Sequence, residues 1–61
     1  MFQELMTLSM NEKKGLTFFL KGGHSIAGIV TKINDQESVE AYSQQYDRIL
    51  IPAVNILAVA L

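Results

Sequence analysis

His24 and Ser25 are adjacent, and two aspartates, Asp35 and Asp47, lie further along the chain. An imidazole, a hydroxyl and a carboxylate are the parts of a nucleophilic triad, which needs the base beside the nucleophile. Neighbours on an extended strand point to opposite faces, so His24 cannot activate Ser25. Following Gly22-Gly23, His24 reads instead as an exposed turn residue. It is also the only histidine, and there is no cysteine, so the usual structural zinc sites lack ligands. No phosphate-binding glycine loop or dinucleotide fingerprint occurs. The chain therefore reads as a non-enzyme with no cofactor, metal or small-molecule substrate.

The remaining candidates suit binding. Asn34, Asp35, Gln36, Glu37 and Ser38 form a polar run that could offer hydrogen bonds to nucleobases, or could be a solvated loop. Its two carboxylates would repel phosphate. Phe19 could stack a base, a contact worth about 1–3 kcal/mol, or could pack under a helix or at a subunit contact. Lys13, Lys14, Lys21, Lys32 and Arg48 are all the basic residues. Repeated by symmetry they could form a shallow positive belt; spread along one chain they solubilise a surface. Tyr42 and Tyr46 could stack bases or pack across a hairpin. Asn55, alone among apolar neighbours, could satisfy turn backbone.

Positioning these residues falls to a small number of elements. Phe2, Leu5, Met6 and Ser9 recur at helical spacing, which predicts a short amphipathic helix over 2–12 with Gly15 as its stop. From Leu16 the period changes to two. Strands are expected at 16–20, 24–33, 38–43, 46–51 and 54–61. Gly22-Gly23 marks a tight hairpin, Gly28 a sharp bend, and Pro52 the end of a ladder. One helix and five short strands, the second bent, predict a mainly β domain over 1–61: a helical segment 1–14, then a curved barrel over 16–61.

With 61 residues and no disulfides, such a domain is marginally stable alone. Ile49 to Leu61 is apolar except at Pro52 and Asn55, and does not alternate. Both faces of that segment need cover, and another copy of the chain is the natural source. An apolar final strand is also a hazardous free edge unless it is paired, and head-to-tail pairing of copies closes into a ring when the rotation permits. A net charge of -1 excludes the strong basic excess of a simple electrostatic nucleic-acid binder. No apolar run reaches the length of a membrane span, and no signal-peptide pattern opens the chain. The expected location is the cytoplasm, away from any membrane.

The run Leu16-x-Phe18-x-Leu20-x-x-Gly23-x-x-Ile26-x-Gly28-x-Val30-x-x-Ile33 is similar to the first motif of the Sm-like family, which includes the LSm proteins and bacterial Hfq. Ile51-Pro52-Ala53-Val54-Asn55-Ile56 stands where the second motif has hydrophobic, Arg, Gly, any residue, Asn, hydrophobic. The resemblance spans Leu16 to Leu61. It implies an N-terminal helix and a five-stranded, strongly bent SH3-like (Sm-type) barrel. It further implies homo-oligomeric rings closed through the fourth and fifth strands, and binding of single-stranded RNA by a chaperone-type protein. Several family residues are replaced: Asn34 stands for the Asp that ends the first motif, Ser38 for a base-contacting Asn, Pro52 and Ala53 for the Arg-Gly pair, and Ser25 for a Lys. Phe19 stands where Hfq carries a stacking aromatic.

The ring-forming residues are thus better kept than those that grip uridine, and any RNA contact is expected on a non-standard surface. The candidates for it are Phe19, Lys21, Lys32, Asn34, Asp35, Gln36, Ser38 and Asn55. The expected subunit interface is Tyr46, Arg48, Leu50, Val54, Ile56, Leu57, Val59 and Leu61. The alternative is a structural or protein-interaction ring that binds no RNA.

Overall fold

The structure, a computed structural model, describes residues 2–61. Met1, part of the expected segment 1–14, lies outside the described residues. The chain is mainly β, with one N-terminal helix and five antiparallel strands. These are α1 (Gln3–Glu12), β1 (Leu16–Leu20), β2 (His24–Asn34), β3 (Ser38–Tyr42), β4 (Ile49–Pro52) and β5 (Ile56–Ala60). The strands lie in the order β4-β3-β2-β1-β5. β4 and β5 are not paired with one another. The expected barrel takes the form of a barrel-like antiparallel sheet that is not closed within the chain, with β4 and β5 as its two edges.

The helical spacing puts Met6 and Ser9 in the interior, with Phe2 and Leu5 packed against the core. The helix stops earlier than Gly15. Lys13 takes the left-handed conformation at φ 56°, a geometry usually given to glycine at this position. The Lys14 N–H then donates to the Ser9 carbonyl at 3.1 Å.

β1 and β2 pair from Leu20↔His24 to Leu16↔Gly28. Between them Gly22 and Gly23 both have φ near +80° or above, which only glycine adopts without strain. Lys21, Gly22 and Gly23 together make the turn, one residue more than the expected glycine pair. At Gly28 β2 passes close to β3: a β-carbon there would lie 2.9 Å from the Tyr42 carbonyl oxygen. Pairing with β3 begins at Ile29↔Tyr42 and breaks register between Val30 and Lys32, so Thr31 bulges from the ladder.

The core draws one or two side chains from every element: Met6, Leu16, Phe18, Val30, Val39, Ala41, Ile51 and Ile56. Ser9 is buried among them. Its Oγ accepts a hydrogen bond from the Val30 N–H at 3.1 Å and donates to the Lys14 carbonyl. One hydroxyl thereby ties the helix to the middle of β2.

Two expectations near the C-terminus change. Tyr46 to Arg48 lie before β4 rather than in it, because Ser43 closes a turn: its N–H and Oγ both donate to the Tyr46 carbonyl, and its Oγ accepts from the Tyr46 N–H. Pro52 ends the ladder as expected, paired with Ser38 as the last residue of β4. Ala53–Asn55 form a 3-10 turn, so Val54 and Asn55 precede the last strand instead of opening it. No helix among the described residues is long and apolar enough to cross a membrane.

Candidate functional site

Three chain segments meet at one end of the molecule: the start of α1, the turn between β2 and β3, and the 3-10 turn before β5. The β2–β3 turn is held by the Glu37 N–H donating to the Asn34 carbonyl at 3.0 Å. The Ala53 N–H donates to the Glu37 carbonyl at 2.8 Å and so ties the 3-10 turn to it. Asp35 occupies the left-handed region at φ 55°, which aspartate tolerates better than most residues.

Between these segments lies a cavity of about 320 Å³. Met6, Val39 and Ile56 give it an apolar floor, and Phe2, Ala53 and Val54 an apolar wall. Gln3, Asp35, Gln36 and Ser38 supply polar groups. Two amides, a hydroxyl and a carboxylate offer both donors and acceptors. An apolar slot with a few convergent polar groups suits a small planar heterocycle. The exposed Asp35 carboxylate disfavours a phosphate at the same place.

The candidate residues separate into groups. Asp35, Gln36 and Ser38 come together at the cavity. Asn34 supports them: its Nδ2 donates to the Ser38 Oγ and to the Glu40 Oε2, each at 3.1 Å. Lys21 and Asn55 are neighbours through the Lys21 N–H, which donates to the Asn55 carbonyl at 2.9 Å. Lys32 is exposed on β2 opposite Glu40, and Phe19 is exposed on the outer face of β1, between Ser25 on β2 and Ala58 on β5. Neither Lys32 nor Phe19 lines the cavity. Phe2, Gln3, Met6, Val39 and Ala53 line it and are not among the candidates, while Val54 and Ile56, expected at the subunit interface, line it as well. For Phe2 and Met6 the signal was their i, i+4 spacing on the helix.

The expected interface residues lie on or beside the two edge strands. Leu50 on β4, and Val54, Leu57 and Leu61 at or flanking β5, are each roughly 60–70% exposed, large values for such side chains. Tyr46 and Arg48 are exposed beside β4. Ile56 is buried in the chain's own core, and Val59 packs against that core, so these two build the subunit itself.

The chain matches no family model, no curated protein and no solved structure.

Proposed function

We propose that this chain is a subunit of an Sm-like homo-oligomeric ring that binds single-stranded RNA through a non-standard surface. The observation that carries the ring is the strand order. β4 and β5 end the sheet on opposite sides, and Leu50 and Leu57 leave apolar surface at those two edges. Pairing the fourth strand of one copy with the fifth of the next covers both edges at once. The RNA reading rests on the cavity beside the β2–β3 turn, whose size and mixed lining suit a nucleobase, and on the exposed Phe19. All five basic side chains are exposed, and a ring repeats them around its axis.

Native mass measurement tests the ring: a species of 6.8 kDa alone at micromolar concentration overturns it. Fluorescence anisotropy with labelled U-rich and A-rich oligonucleotides at low salt tests the RNA reading. Saturable binding that weakens steeply with added salt supports it. Asp35→Asn keeps a residue that tolerates the left-handed turn and removes a like charge. It is expected to tighten oligonucleotide binding several-fold, and an unchanged affinity places any RNA elsewhere. The second reading, a protein-interaction ring without RNA, is favoured by the carboxylate at the cavity. Oligomer without any saturable oligonucleotide binding selects it.

A further inference from the structure

β2 is the longest strand, and each half of it is paired on one side only. His24 to Gly28 pair with β1, and Ile29 to Asn34 pair with β3. The direction of the backbone groups follows from two hydrogen bonds. Lys21 donates its N–H to Asn55, on the β5 side of β1. By alternation Leu16, Phe18 and Leu20 bond toward β2, so His24, Ile26 and Gly28 bond toward β1. Val30 agrees, since its N–H points to Ser9 on the helix side. Ser25 and Ala27 must then direct their N–H and C=O groups the other way, toward the line of β3. There β3 has already ended at Tyr42, and the Ser43–Tyr46 turn leads the chain aside.

A groove of about 630 Å³ lies at that place. Ser25 and Ala27, both exposed, form one side, and Tyr42, Ser43, Gln44 and Gln45 the other. None of the groove's side chains is charged. Unpaired backbone groups along a strand are a template for another strand.

We infer that this groove accepts an extended, uncharged peptide segment of a partner protein, which adds to β2 along the path that β3 vacates. The segment runs antiparallel to β2 and exchanges hydrogen bonds with Ser25 and Ala27. The glutamine amides of Gln44 and Gln45 offer it further donors and acceptors. A charged segment would lose hydration here without gaining a counter-charge. This inference is independent of the ring and of RNA binding, because neither β4 nor β5 contributes to the groove.

The test is amide exchange by NMR on the intact protein, with a short peptide of alternating threonine and valine, acetylated and amidated, as probe. In the free protein the Ser25 and Ala27 amides exchange at least about tenfold faster than those of Ile26 and Gly28. Equal rates overturn the open edge. Peptide at about ten times its Kd is expected to slow Ser25 and Ala27 about tenfold. No saturable response at these amides, or slowing confined to β4 or β5, overturns the inference. Slowing that grows with protein concentration alone makes the occupant a second copy, which also overturns it. Ala27→Pro removes only a donor on the open side and is expected to abolish the peptide response while Ile26 and Gly28 stay protected. If that variant does not fold, Ser25→Pro asks the same question.

Discussion

Ser9→Ala is the sharpest test of how helix and sheet are joined. The substitution keeps the β-carbon and deletes one oxygen. It leaves the buried Val30 N–H without its acceptor and the Lys14 carbonyl without its donor. An orphaned buried donor costs about 1–3 kcal/mol. The Lys14 carbonyl adds little if water replaces the serine. Alanine's better helix propensity returns up to about 0.7 kcal/mol. The net loss is thus about 0.3–3 kcal/mol, a large fraction of the roughly 3–9 kcal/mol available to a chain of this size. Each kcal/mol corresponds to about 4–8 °C in Tm for so small a domain. Thermal and urea unfolding followed by circular dichroism measure the loss. Thr7→Ala, on the exposed side of the same helix, is the control and is expected to be neutral or slightly stabilising. If Ser9→Ala melts with the parent, or if its Val30 amide exchanges no faster, the hydroxyl does not anchor the helix and the reasoning fails.

Gly28→Ala places a methyl 2.9 Å from the Tyr42 carbonyl oxygen and is expected to cost about 1–3 kcal/mol by forcing β3 away from β2; an unchanged urea midpoint counts against the close approach. Lys13→Gly relieves a left-handed lysine at the helix end and is expected to raise stability by about 0.5–1 kcal/mol, with a lower melting point as the refuting result. Leu57→Asp places a charge on an exposed edge, so the single chain stays folded while any larger species in native mass measurement disappears. A variant that keeps the parent's oligomeric mass removes Leu57 from the interface.

The first half of the fold was legible because its signals are local. Alternation from Leu16 onward, two adjacent glycines and one mid-strand glycine are each explained by a few neighbouring residues. The second half was less so. Tyr46 reads as a strand residue by composition, but the Ser43 side chain captures its backbone in a turn. Pro52 reads as a ladder's end and is one: it makes the last pair of β4, with Ser38, on an edge strand that tolerates a missing N–H. Edge pairing is a long-range property, so the apolar last strand signals a free edge while the strand order that puts β4 and β5 at opposite edges emerges only from the fold. The cavity was half visible for the same reason. Asp35, Gln36 and Ser38 stand together in the chain, whereas Phe2, Met6, Val54 and Ile56 join them only through the fold.

The bulge at Thr31 resets the phase of β2. Before it, even-numbered Gly28 and Val30 are the buried ones; after it, odd-numbered Ile33 packs on the core while Lys32 is exposed. The extra residue is therefore what the bulge exists to absorb. Flattening the bulge with the threonine still in place would drive a lysine inward and an isoleucine into water, whereas deleting the threonine would restore plain alternation and keep both on their present faces.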